Sequence, residues 1–242
     1  MKTGKLKQIL LITDGCSNVG VDPIAIASMA PEYGISINVI GILDDQMLGD
    51  KALEEIKQIA LAGGGIHQTV HSHVLPKTVQ MVTRKAMTQT IQQVVNKELK
   101  HILGNAEEVG SLPPDKRGKV VEVVEDLGEK VAVDILILVD TSASMKSKLP
   151  AVKQALRDLA ISMQSRMGEN RFSLWTYPGV RESAEKKMDW SSQFFSLEKM
   201  FSTIQTHGTT PTGPALEEAL SYFTGELPAY YEEEGIVHDN IL

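Results

Sequence analysis

Ile135-Leu136-Ile137-Leu138-Val139-Asp140-Thr141-Ser142-Ala143-Ser144 is the stretch from which the rest of this chain can be read. Five apolar residues in a row place apolar side chains on both faces of a strand, the pattern of a sheet covered by helices on either side. The strand ends on a carboxylate. Two hydroxyls follow at alternate positions, and residues 145–150 lead into a helix-patterned segment, so one short strand-to-helix loop carries Asp140, Ser142 and Ser144. Donors made only of oxygen suit a hard cation such as Mg²⁺, which takes about six oxygens at ~2.1 Å and commonly keeps several waters.

The N-terminal half repeats the grammar. Residues 9–13 form a second buried strand, and it too runs into an acid, in Thr13-Asp14-Gly15. Asp22-Pro23 supplies an N-cap with proline at the first helical position, and Gly34 a stop. Residues 35–43 read as a strand. A helix from Asp50 follows, ended by Gly63-Gly64-Gly65, then a short strand from His67 to Val74 and a long amphipathic helix from Val79 to Leu103 closed by Gly104. Strands alternating with helices imply a parallel sheet with helical crossovers. Residues 104–130, with Pro113-Pro114 and a charged, Val-rich stretch, read as a connector carrying one short helix, although periodicity alone does not separate helix from strand there.

After Asp140 the spacing predicts a helix over 150–167 and two short strands, 172–177 and 185–190, paired as an antiparallel hairpin at a sheet edge. A helix over 196–204 is expected next. Then comes His207-Gly208-Thr209-Thr210-Pro211-Thr212-Gly213-Pro214, a hydroxyl-rich loop feeding a helix from Ala215 to Phe223. Residues 226–242, with Glu232-Glu233-Glu234, read as a solvated tail.

Composition narrows the function. Of 242 residues 42% are hydrophobic, enough for a core, and the net charge is −7. Without a Lys/Arg stripe on any segment, nucleic acid is not the expected partner. No run approaches a membrane span, and the four apolar residues 9–12 are too few for a signal-peptide core, so a cytoplasmic protein is expected. The single cysteine, Cys16, fits a reducing compartment and lacks a neighbour that would activate it. His67, His71 and His73 would share a face of a strand, but no Cys or acid joins them, and a surface edge is the simpler reading. Trp175 and Trp190 read as core aromatics, and the ten methionines as packing.

In open doubly wound sheets, ligands bind beyond the carboxyl ends of the strands where the strand order reverses. If the strands ending at Asp14 and Asp140 are neighbours there, both acids and both serines face one crevice. Together, Asp140-x-Ser142-x-Ser144, Gly208-Thr209-Thr210-Pro211-Thr212-Gly213 and Ile9-Leu-Leu-Ile-Thr-Asp14-Gly15 resemble the three parts of the metal-ion-dependent adhesion site (MIDAS) of von Willebrand factor A (vWA) domains. The resemblance implies a Rossmann-like sheet and Asp140, Ser142, Ser144, Thr210 and Asp14 as the site. The hydroxyls would be ligands, the carboxylates would bind directly or through water, and Thr209 is the alternative to Thr210. The family order places Asp-x-Ser-x-Ser first and Asp-Gly last; here Asp14 comes 126 residues before Asp140. Residues 5–103 thus resemble the second half of a vWA domain, 131–225 its first half, and 104–130 a join of the old ends, the pattern of a circular permutation. The whole chain also resembles small vWA proteins of endospore-forming bacteria, the YabS-like group, for which the resemblance implies this same order.

What the resemblance implies is a Mg²⁺- (or Mn²⁺-) dependent protein-binding module whose metal recruits an Asp or Glu of a partner, such as an AAA+ ATPase or a signalling protein. A site closed within one chain is favoured over a swapped dimer. A metal-dependent hydrolase or phosphatase is the rival class, although Ser142 stands where an aspartyl-phosphate enzyme would carry a second Asp and no Gly-x-x-x-x-Gly-Lys-Ser/Thr phosphate loop occurs. A metal-independent scaffold is the third.

Overall fold

The structure, a computed structural model, describes residues 4–43, 49–103, 113–193, 204, 206 and 208–225. The apolar runs form a six-stranded sheet of β1 (Lys5–Thr13), β2 (Ile35–Leu43), β3 (Gly64–His71), β4 (Ala132–Asp140), β5 (Asn170–Tyr177) and β6 (Glu185–Ser191), in the order β3-β2-β1-β4-β5-β6. Neighbours are parallel except β5 and β6, so β6 is an antiparallel edge strand. Among the described residues six helices accompany it: α1 (Pro23–Met29), α2 (Asp50–Ala62), α3 (Leu75–Leu103), α4 (Pro114–Lys130), α5 (Leu149–Gln164) and α6 (Thr212–Thr224).

Strand alternation divides the core in two. Leu10 and Ile12 of β1, with Ile135, Ile137 and Val139 of β4, pack against Val79 and Val82 of α3 and Leu156 and Leu159 of α5. Ile9, Leu11, Leu136 and Leu138 point the other way, onto Ile26 of α1, Ile56 of α2 and Leu216 and Leu220 of α6. Both faces of the central strands are therefore dry. Each fully buried Leu or Ile contributes roughly 1.5–3 kcal/mol. The result is the doubly wound α/β sandwich that the apolar runs imply.

Local signals act as read from the chain in several places. Asp22 caps α1, its Oδ1 accepting from the Ile24 N–H at 2.8 Å, and Pro23 occupies the first turn. A short 3₁₀ turn, Ala30–Tyr33, ends at Gly34, whose φ of +66° is left-handed and suits glycine.

Three boundaries differ from the sequence reading. Only Gly63 caps α2, while Gly64 and Gly65 already belong to β3, where a side chain on Gly65 would meet the Ile37 carbonyl. Strand β3 ends at His71, not Val74; residues 72–74 form a 3₁₀ turn, and α3 begins at Leu75 because Leu75 and Val79 are both buried. His73 is therefore off the strand. In the connector, 114–130 is one helix of 17 residues, longer than the short helix expected, with Val124 its buried residue and α3 its neighbour. The expected helix over 196–204 lies almost wholly outside the described residues, and the tail 226–242 lies entirely outside them.

Two elements fix the positions of the central strands. At their amino ends Asp134 of β4 accepts a two-pronged contact from Arg171 of β5, Nε at 2.8 Å and Nη2 at 2.5 Å, and Lys5 of β1 approaches at 3.3 Å. Behind them the buried Arg166 donates from Nε (2.9 Å) and Nη2 (2.7 Å) to the Gly128 carbonyl and from Nη2 to the Val131 carbonyl at 2.9 Å, and it also reaches Asn170. One guanidinium thus ties the end of α4 to β4, α5 and β5. Arg166→Ala leaves the partly buried Gly128 and Val131 carbonyls without these donors, and we expect it to cost about 2 kcal/mol. Urea unfolding of the two proteins measures this.

Candidate metal centre

β1 and β4 lie side by side in register from Lys5↔Ala132 to Ile12↔Val139. From this pair the chain winds outward in one direction to β2 and β3 and in the other to β5 and β6. The strand order therefore reverses at the carboxyl ends of β1 and β4, and Asp14 and Asp140 stand there together.

Asp140, the last residue of β4, is fully buried. Its Oδ1 accepts from the Ser142 N–H at 2.8 Å, a local turn that aspartate favours, and its Oδ2 from the Thr13 hydroxyl at 2.7 Å. Burial pushes its carboxyl above the ordinary range. The Ser142 and Thr13 donors act against that, and the neighbouring Asp14 charge adds to it.

From Asp140 the backbone turns through a 3₁₀ segment, Ala143–Ser147, held by the Met145 N–H on the Ser142 carbonyl at 3.0 Å. The fully buried Met145 anchors the turn, leaving Ser144 exposed at the mouth of the crevice. The Ser142 and Ser144 hydroxyls are 3.1 Å apart, and Ser144 Oγ donates to Asp14 Oδ1 at 2.8 Å. On the other oxygen of Asp14 sits the ammonium of Lys148. Asp14, Ser142, Ser144 and Asp140 thus form one connected cluster drawn from both halves of the chain.

Thr210 is buried and Thr209 exposed. Thr210 is held against the β1–α1 loop by a reciprocal pair: its N–H donates to Asn18 Oδ1 at 2.8 Å, and the Asn18 N–H donates to its carbonyl at 3.1 Å. Glu55 of α2 in turn accepts from the Ser17 N–H at 2.6 Å. Two glycines let the loops meet. A side chain on Gly213 would strike the Val21 carbonyl at 1.9 Å, and one on Gly20, whose φ is +88°, would strike Pro214 at 2.3 Å. The third motif is therefore packed onto the loop carrying Asp14.

The cluster fits a hard cation. Its donors are carboxylate and hydroxyl oxygens only. Two further hydroxyls, of Tyr177 and Thr212, are buried near each other without a hydrogen bond of good geometry to a described residue. Tyr177 lies beside Thr212, Thr13 and Asp140; burial, with the Asp140 charge second, pushes its phenol well above the usual range, so it stays a neutral donor. Orphaned buried hydroxyls are costly and suit bound water.

Among the described residues no group of three His, Cys, Asp or Glu side chains converges. His71 and His73 stack at 6.0 Å, and His67 is an exposed residue on the half-buried edge strand β3. Cys16 has a thiol pushed up by burial and by Glu55, the opposite of activation. Sequence reasoning missed Thr13, Asn18, Lys148 and Tyr177. Of these only Lys148, four residues after Ser144, carried a local signal.

A sequence profile described as the von Willebrand factor type A domain matches residues 135–232. The Bacillus subtilis (strain 168) protein YabS, itself uncharacterized, is 53% identical over 223 residues, 92% of this chain and 91% of its own. The chain belongs to the von Willebrand factor A family. The crystal structure of an uncharacterized protein from Alicyclobacillus acidocaldarius superposes with a TM-score of 0.85 at 39% identity, covering 91% of this chain and 94% of that one. The profile spans β4 to beyond α6 and so includes Asp140, Ser142, Ser144 and Thr210 of the vWA chain, while Asp14 lies before it.

Because the Asn18 side chain accepts the Thr210 N–H across the two loops, Asn18→Ala should loosen the third motif without touching the sheet. We expect a loss of about 1–2 kcal/mol. The Thr210 amide should exchange with deuterium at least several-fold faster, while amides of β1 and β4 keep their relative protection; amide-resolved NMR exchange reads both.

Proposed function

We propose that this chain is a Mg²⁺- or Mn²⁺-dependent protein-binding module. The observation that carries the reading is the convergence of Asp14, Asp140, Ser142 and Ser144 at the β1–β4 switch point, with the Thr210 loop clamped beside it. Ser142, Ser144 and Thr210 would offer hydroxyls, and Asp14 and Asp140 would bind directly or through water. When bound, the metal would supply a Lewis-acidic centre whose charge the two carboxylates formally balance while its coordination shell keeps an open position. Such a centre attracts an Asp or Glu side chain of another protein as a further ligand. Ser144, exposed at the rim, is the ligand nearest to an arriving partner.

The order of the motifs supports a circular permutation of the family's usual arrangement, with α4 and the residues before it joining the old ends. Closure of the site by β1 and β4 of a single chain favours a monomer over a swapped dimer. By family resemblance, an AAA+ ATPase or a signalling protein is a fitting partner, and the single cysteine fits a reducing, cytoplasmic compartment.

Catalysis is the weaker reading. Both oxygens of Asp140 are committed, to the Ser142 N–H and the Thr13 hydroxyl, and the residue is fully buried, which suits a structural or metal-holding carboxylate better than a nucleophile.

Two measurements test the proposal. Saturating Mg²⁺ should raise the melting temperature by several degrees relative to chelator, since a ligand at about 100 times its Kd adds about 2.7 kcal/mol. In Ser144→Ala most of that gain should vanish, together with Mg²⁺-dependent capture of a partner from native lysate. An identical melting temperature with Mg²⁺, Mn²⁺ and chelator in the wild type would sink the metal reading. Separately, generic phosphatase substrates should show no metal-dependent turnover; turnover abolished by Asp140→Ala would establish the enzyme instead.

A further inference from the structure

Lys148 is the least expected member of the cluster. Its side chain is only 4% exposed and that of Asp14 only 1%. Lysine is rarely buried without a partner, because removing an ammonium from water is costly. The residue sits where the 3₁₀ turn meets α5. Its N–H donates to the Met145 carbonyl at 2.9 Å and its carbonyl accepts from the Val152 N–H at 3.1 Å, so the backbone is fixed while the four-carbon stem carries the charge into the crevice. The head meets Asp14 Oδ2 while Ser144 Oγ holds Oδ1 at 2.8 Å. Both oxygens of a carboxylate that a metal would use are taken, one of them by a cation.

We propose that Lys148 is a tethered cation that occupies the positive position at Asp14 in the metal-free chain, so that a divalent ion binds by displacing it. The inference rests on the metal-dependent reading above. Without a counter-charge, two carboxylates brought together by β1 and β4 would repel each other in a nearly dry crevice. Lys148 offsets that repulsion and lets the site fold before metal arrives. The same contact sets a threshold, because ammonium and divalent ion cannot both sit against one carboxylate without strong repulsion.

The test compares Mn²⁺ affinity, followed by the loss of the free-ion electron paramagnetic resonance signal, in wild type, Lys148→Gln and Lys148→Met. At least about tenfold tighter binding in the variants is expected from removal of a like charge. Equal affinities in all three would overturn the displacement while leaving the metal reading intact; absence of Mn²⁺ binding in all three would overturn both. Since the variants leave Asp14 without this counter-charge and can unfold for that reason, the wild type supplies a second readout. Acetylation of Lys148 by an amine-reactive ester, quantified by mass spectrometry against the exposed Lys57, should rise several-fold on saturation with Mn²⁺. Unchanged protection in the metal-saturated protein would refute displacement, and a Lys148 with only a structural role predicts that result.

Discussion

The pairing of β1 with β4 is the constraint on which the rest depends. These strands come from opposite halves of the chain, yet their registered hydrogen bonds bring Thr13 within 2.7 Å of Asp140 and Asp14 within reach of Ser144. The sheet is thereby closed at its centre, and everything on either side winds outward from that seam. Burial drives the pairing, since both faces of both strands are apolar and only neighbours covered by helices on two sides keep them dry.

Around this seam the polar groups are held by short backbone devices more than by long side chains. The 3₁₀ turn after Asp140 aims two hydroxyls, Asn18 clamps Thr210 through its backbone, and Gly20 and Gly213 permit the loops to touch. A rigid frame of this kind keeps oxygens close together at little entropic cost on binding, because the ordering has already been met by folding. Lys148 fits the same logic: a site dense in carboxylate and hydroxyl oxygen folds more readily with a cation of its own.

Much of this was legible in the residue order. The acid-ended apolar runs, the Asp22-Pro23 cap and the helix stops are local signals, set by steric and capping preferences that act within a few residues. Element boundaries were less legible where a tertiary contact competes with a local one. Gly64 and Gly65 look like a helix stop but enter β3 because the Ile37 backbone lies against them, and His73 looks like a strand residue but turns into α3 because Leu75 and Val79 are drawn into the core. The Val-rich stretch in α4 carried no decisive period, and its packing on α3 together with the Arg166 staple gives it a helical place.

By itself the sequence determined the α/β class, the three motifs and the oxygen-only character of the candidate site, since each rests on residue type and spacing along a few residues. That Asp14 and Asp140 share a crevice and that Thr210 is preferred to Thr209 were expected from the family resemblance; the pairing of β1 with β4 and the burial of Thr210 beside an exposed Thr209 realise both, and tertiary structure alone decided that Lys148 lies on Asp14. Those outcomes depend on which strands pair and which loops meet, and contacts between residues more than a hundred positions apart leave no periodicity in the chain to read.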